Sequence, residues 1–249
     1  MAEGSSKPRV GVAGWSLPSV VASSFATEGT HLQRYATRFS AVEINSSFYR
    51  PHRNETYARW AASVPPDFRF AVKLPRAITH ERRLAGCRDL LESFAGALEG
   101  LGSKRGPVLV QLPPSLAFEP HLAEPFFLEL RETVGGLLVC EPRHPSWFLS
   151  DVDRLLERWM IGCVAADPAG SGTAVAPGGW HAIAYFRLHG SPRIYRSTYE
   201  DAALRSWSDA VASACKDGAV WVIFDNTAAG AAVGDALRFM ALLETLPIC

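Results

Sequence analysis

Seven apolar runs of strand length end in residues that could do chemistry: Glu43, Lys73, Gln111, Glu141, Asp167, Arg187 with His189, and Asp225. Glu43 and Glu141 come from different runs. Carboxylates in unlike environments can divide into a proton donor and a proton acceptor. His189 is the best single proton-transfer candidate, because histidine changes charge near neutrality. Lys73, Arg143 and Arg187 suit a phosphate or carboxylate, arginine through its two-pronged guanidinium. Lys73 also raises imine chemistry, since a buried lysine near other cations loses its proton. The neighbouring carboxylates argue instead for a protonated lysine that binds an anion or sits in an ion pair.

Such residues need elements to bring them together. The strand candidates are residues 9–14, 41–44, 68–74, 107–112, 136–141, 161–167, 182–189 and 219–225. Between them lie apolar stripes of helical spacing, among them Leu32, Tyr35, Ala36 and Phe39; Tyr57, Trp60, Ala61 and Val64; and Val233, Leu237 and Met240. Eight strands alternating with seven helices over about 250 residues predict a single α/β domain, a TIM-type (β/α)8 barrel spanning 9–249. An open doubly wound sheet is the alternative. Residues 168–181 are too rich in Gly and Pro for a helix, so an irregular connection is expected there. Residues 1–8 are expected to be disordered.

Strand side chains alternate between faces. With Val42 and Ile44 toward the helices, Glu43 points inward, and the same parity sends Lys73, Gln111, Glu141, Asp167, Arg187, His189 and Asp225 inward. Active sites of such barrels lie at the C-terminal strand ends. The competing reading is an inert plug of ion pairs, Glu43–Lys73 or Glu141–Arg187. Desolvation makes that a poor source of stability on its own.

The chain holds 25 Lys and Arg against 25 Asp and Glu, so no global field favours nucleic acid or a membrane. Four segments on the C-terminal side (45–55, 73–83, 141–148 and 187–200) carry ten basic residues against four acidic ones, which predicts an electropositive mouth. Five cysteines without a C-x-x-C pair fit packing rather than a disulfide or zinc framework. The N-terminus lacks a signal-peptide core, and no apolar run approaches the roughly 20 residues of a membrane span. A soluble cytoplasmic protein is expected. Glu43, Glu141, Asp167, Asp225, His144 and His189 could in principle hold a divalent metal. No H-x-x-x-H or H-E-x-x-H spacing supports it, and no glycine-rich fingerprint supports a nucleotide cofactor.

"GWS" at 14–16, "EINSSFYR" at 43–50, "FAVKLPRAITHERRL" at 70–84 and "GPVLVQLPP" at 106–114 resemble the YecE-like family, domain of unknown function 72. So do "EPRHPSWF" at 141–148, "YFRLHG" at 185–190 and "FDNT" at 224–227. The resemblance implies a TIM-type barrel and supplies no settled activity; a DNA-binding role related to endonuclease-type barrels is an analogy within it. Among the matching positions are Glu43, Tyr49, Arg50, Lys73, Gln111, Glu141, Arg143, His144, Trp147, Arg187, His189 and Asn226. Pro142 stands where an aromatic is usual, and Asp225 where asparagine is usual.

The expected catalytic set is Glu43, Glu141 and His189. The expected substrate-binding set is Trp15, Asn45, Tyr49, Arg50, Lys73, Gln111, Arg143, His144, Trp147, Asp167, Arg187 and Asn226, with Trp15 or Trp147 as pocket walls. The expected partner is a small anionic substrate, with hydrolysis, isomerisation and elimination all open. Nucleic acid gripped by the basic rim, with bases stacked on rings such as Tyr49, is the alternative. A non-catalytic scaffold is the third reading.

Overall fold

The computed structural model describes residues 7–168, 176–215 and 218–246. Residues 1–6 of the expected disordered N-terminus and 169–175 of the glycine-rich connection lie outside the described residues, as does Cys249; residues 176–181 of the connection hold no helix.

The strands are β1 (Arg9–Val12), β2 (Ala41–Ile44), β3 (Arg69–Lys73), β4 (Arg105–Gln111), β5 (Leu138–Glu141), β6 (Ile161–Cys163), β7 (Ala165–Asp167), β8 (Gly178–Gly179), β9 (Ile183–Leu188) and β10 (Ala219–Phe224). The helices are α1 (His31–Tyr35), α2 (Ser46–Tyr49), α3 (Asn54–Ala62), α4 (Arg88–Leu98), α5 (Pro120–Thr133), α6 (Ser150–Arg158), α7 (Asp201–Ala214) and α8 (Ala231–Leu243). Each of the seven apolar stripes starts in a helix, with Ala36, Phe39, Val64 and Trp159 falling just past the helix ends, and α2 is a single extra turn after β2.

Hydrogen bonding links β1-β10-β9-β7 into one ladder and β2-β3-β4-β5-β6-β8 into another. Every pairing is parallel except that of the two-residue β8 with β6. The ladders meet at two seams. At the first, Ala13 bridges to Glu43 and the Gly14 N–H donates to the Glu43 carbonyl at 2.8 Å. At the second, one strand position is shared: Ile161–Cys163 pairs with β5, the Val164 N–H donates to Cys140 at 2.8 Å, and Ala165–Asp167 pairs with β9. Eight strand positions thus surround one interior, the TIM-type architecture.

Two apolar layers fix the side-chain directions. Ala41, Ala71, Leu109, Val139, Val164, Ile183, Tyr185, Trp221 and Ile223 pack together inside the ring. Val42, Val72, Val110, Cys140, Phe186 and Val222 face outward and join the helices in the larger core. Burial of this two-sided kind is what nearly continuous apolar strands require. Gly11 shows how closely the first seam packs: a Cβ there would lie 2.3 Å from the Ala41 carbonyl oxygen. The Tyr35 hydroxyl pins the same seam, accepting from the Val12 N–H at 2.9 Å and donating to the Ala41 carbonyl at 2.8 Å. Cys87, Cys140, Cys163 and Cys215 are buried, in keeping with packing.

Candidate active site

Glu43, Glu141 and Asp225, from the ends of β2, β5 and β10, converge on one guanidinium. Arg187 in β9 is 1% exposed. Its Nε and Nη2 donate to Glu43 at 3.1 and 2.8 Å, its Nη1 donates to Glu141 at 2.5 Å, and its Nη2 also donates to Asp225 at 2.9 Å. The Tyr185 hydroxyl, two residues back on the same inner face, donates to Glu43 at 2.8 Å. Glu43 therefore pairs with Arg187 rather than Lys73. Burial pushes the Glu141 carboxyl up, but Arg187, Arg143 and His189 outweigh it and hold the group well below its usual range. Asp225 is likewise held low, with Arg187 and His189 overcoming its burial.

His189 follows β9 and is fully buried. Its Nδ1 lies 3.0 Å from Asp225 Oδ2, and its Nε2 lies 2.8 Å from Arg143 Nη2 and 3.2 Å from Glu141 Oε1. Arginine can only donate. A neutral ring with its hydrogen on Nδ1 donates to Asp225 and accepts from Arg143 at Nε2, whereas Glu141 Oε1, which can only accept, calls for a hydrogen on Nε2, so the two partners make opposite demands on that nitrogen. Arg143 also forms an ion pair with Glu141. Gly190 makes this placement possible: its φ is 90°, and a Cβ there would sit 2.7 Å from the Ser197 carbonyl oxygen. The Tyr195 ring stands edge-on to His189, with centroids 5.5 Å apart.

Lys73 is the third cation at the mouth. Its Nζ lies 4.1 Å from the centre of the Phe48 ring, and among the described residues it has no hydrogen bond or ion pair. Burial, then Arg187, lower its pKa to about 8, against the opposing pull of Glu43, Glu141 and Asp225. The carboxylates still favour the charged form, as expected, but Arg187 has already engaged all three and their pull is only partial. The ring face favours the ammonium by about 2 kcal/mol when desolvated, roughly one and a half pKa units toward the charged form. Asn45 donates weakly to Asp225 Oδ1 at 3.4 Å, and its own Oδ1 is buried without a partner, as is the Nε of Arg143. Gln111 ends β4 beside Glu141 and donates to the Leu112 carbonyl at 2.7 Å.

Other expected residues stand elsewhere. Asp167 was expected to face inward, but Val164 takes the inner position and Ala165 the outer one. The alternation runs unbroken, with Ile161, Cys163 and Ala165 outward and Val164 inward, so Asp167 falls on the outer face and lines a separate cleft of about 670 Å³ with Tyr199, Glu200 and Trp207. Trp147 does not wall the mouth; it is buried against Phe118 and Phe127 and donates to the Leu116 carbonyl at 2.9 Å. Trp15 packs on Trp60 of α3 with centroids 5.0 Å apart. His144 caps its own turn, with Nδ1 2.8 Å from Ser146 Oγ. Asn226 is buried, donating to the Ser197 carbonyl and to Asp235 at 2.8 and 2.7 Å, and so ties the loop after β9 to α8. Tyr49 is 75% exposed, and Arg50 is exposed beside it.

Sequence reasoning left out Asp225 and Tyr185. Asp225 had the right inward parity, and its departure from the family pattern kept it off the candidate set. Tyr185 shares the parity of Arg187 and was legible on the same ground. The electropositive mouth also needs correction. Glu43, Asp225 and Asp89 lie outside the counted segments; the first two engage Arg187 and the third pairs with Arg82 at 2.5 Å, while Arg76 pairs with Glu81 at 3.1 Å. Glu43, Glu141 and Asp225 balance Lys73, Arg143 and Arg187.

Among the described residues, no group of three or more His, Cys, Asp or Glu side chains is arranged to hold a metal ion. Arg187 occupies the point where the three carboxylates meet. Among the same residues, no helix is long and apolar enough to cross a membrane.

Known proteins share this architecture. Residues 9–247 match the family described as "Protein of unknown function DUF72". The UPF0759 protein YecE of Escherichia coli (strain K12) is 31% identical over 140 residues, 56% of this chain and 49% of that protein. The match thus spans about half the length of that curated relative. The UPF0759 protein YunF of Bacillus subtilis (strain 168) is 25% identical over 94% of each chain. The crystal structure of a DUF72 family protein from Enterococcus faecalis V583 superimposes with a TM-score of 0.83, at 20% identity over 96% of each chain, a likeness of fold. With its strand-tip motifs, its barrel and a family match over nearly its whole length, the chain belongs to the DUF72 family.

Proposed function

We propose that this protein is an enzyme that moves protons on a small anionic substrate at the C-terminal mouth of the barrel. The observation that carries the reading is the His189 ring, oriented by Asp225 at Nδ1 and met by Arg143 at Nε2. Carboxylate-oriented imidazoles are suited to general acid–base work, because the carboxylate fixes the tautomer and stabilises the imidazolium that forms. A substrate carboxylate or phosphate would draw the donors of Arg143 toward itself and free Nε2 to take or give a proton. Glu141, in contact with both Arg143 and His189 and held ionised by Arg187 and Arg143, stabilises positive charge on the ring when His189 takes a proton. Arg187 and Glu43 hold this frame from beneath: both are buried and mutually saturated, so they position rather than touch substrate. Asn45 and Gln111 line the rim and orient the ligand.

The test is a panel of phosphorylated and carboxylated hydroxy and carbonyl compounds, followed by NMR for product formation and for exchange of substrate C–H with solvent deuterium. Wild type should convert or exchange at least one compound, and His189→Asn should lower that rate at least 100-fold, within the range general acid–base catalysis contributes. Activity indifferent to His189 would refute the assignment.

A further inference from the structure

We infer that Lys73 is a carbonyl-reactive amine, and that the mouth takes a carbonyl compound carrying an anionic group and holds it as an imine. The inference rests on reading the mouth as an acid–base site and names its substrate class.

The geometry isolates one amine among many charges. Ser47 Oγ donates to the Lys73 carbonyl at 2.6 Å, fixing the backbone at the tip of β3. The side chain then runs past Phe48, with no carboxylate in ion-pair range. The reason is Arg187, which has drawn in Glu43, Glu141 and Asp225 at 2.8, 2.5 and 2.9 Å. Lys104 is the contrast: its Nζ donates to the Ala61 and Val64 carbonyls at 2.7 and 2.5 Å. The charged groups acting on Lys73 are Arg187, Glu43, Glu141 and Asp225, and Lys73 in turn acts on His80; burial and Arg187 prevail, so its pKa falls to about 8. At that value about a tenth of the molecules carry the free amine at pH 7. Arg143, held against Glu141 and His189, keeps an Nε without a hydrogen-bond partner for the anionic group.

In the step itself, the Nζ lone pair forms a C–N bond to the carbonyl carbon and the carbonyl oxygen takes a proton. The resulting carbinolamine gains a second proton on that oxygen and expels water as the nitrogen lone pair closes the C=N bond; the two protons the oxygen gains are the two that Nζ loses, carried across by His189. Amine plus carbonyl give imine plus water, with nothing oxidised or reduced.

The full-length wild-type protein is incubated with sodium borohydride and, separately, pyruvate, dihydroxyacetone phosphate or uncharged dihydroxyacetone, then mapped by peptide mass spectrometry. Borohydride reduces an imine to a stable secondary amine. The chain has four lysines, Lys7, Lys73, Lys104 and Lys216, so Lys7 serves as the exposed internal control. The expected result is an adduct at Lys73 at least tenfold above Lys7 with pyruvate or with dihydroxyacetone phosphate, and little with dihydroxyacetone. The preferred anion distinguishes a carboxylate from a phosphate substrate. An unlabelled Lys73, or labelling equal to Lys7, overturns the imine. If Lys73 stays unlabelled while the substrate panel shows His189-dependent turnover, the imine alone falls; if both fail, the acid–base reading falls with it.

Discussion

Arg187 is the residue on which the site depends. A buried guanidinium shared by Glu43, Glu141 and Asp225 costs solvation, and its removal strands three charges in the interior. Arg187→Met should therefore lower unfolding free energy by about 3–5 kcal/mol, or prevent folding, as read by urea denaturation; an unchanged midpoint would show the cluster to be better hydrated than its burial indicates. The lowered carboxyls set the acid response. Because Glu141 and Asp225 titrate lower in the fold than in the unfolded chain, they contribute stability above the unfolded values of about 4. That stability is lost as pH falls from about 5 through the folded values. Glu141→Gln should flatten this limb of a stability–pH curve. Lys73 works in the opposite sense. Its folded pKa of about 8 lies below the model value of 10.5, so the fold bears a cost wherever the unfolded lysine is charged. The cost is full below about pH 8 and fades as pH rises toward 10.5. Lys73→Met should raise stability at pH 7 by on the order of 1–3 kcal/mol and lose that advantage above pH 10. Equal stability at both pH values would contradict the lowered pKa.

The elements carry the site by their register. Parity read from the alternation of apolar and polar residues correctly turned Glu43, Lys73, Gln111, Glu141, Arg187 and Asp225 toward one interior. It failed at Asp167, because "IGCVAAD" is apolar at every position before the aspartate and so carries no mark of which residues face the helices; Val164, taken as outward, faces inward. Trp147 shows a different limit. A tryptophan after a strand is compatible with a pocket wall or with a plug under the β4–α5 loop, and only packing distinguishes them. The seven amphipathic helices were legible because each presents one apolar stripe to the barrel; β8 was not, because two glycines carry no strand signal. The β1–β2 seam is the element-level weak point. Gly11→Ala would force a Cβ against the Ala41 carbonyl oxygen, and should cost at least about 1–3 kcal/mol with a lower denaturation midpoint. Tyr35→Phe leaves the buried Val12 N–H without its acceptor and should cost about 1–3 kcal/mol.

At the scale of the molecule, a chain with equal numbers of acidic and basic residues builds a mouth in which three cations meet three carboxylates. That balance favours a small anion that rearranges a few donors over a polyanion that needs a row of free ones. The acid–base account turns on the state of one imidazole. Its most direct test is nitrogen NMR of the seven histidine side chains, assigned with His189→Asn, before and after adding pyruvate or inorganic phosphate. The account predicts that His189 carries its hydrogen on Nδ1, that Asp225→Asn disturbs that nitrogen, and that an anion shifts Nε2 as Arg143 turns toward it. An Nε2-protonated ring, insensitive both to Asp225 and to every anion tried, would contradict it.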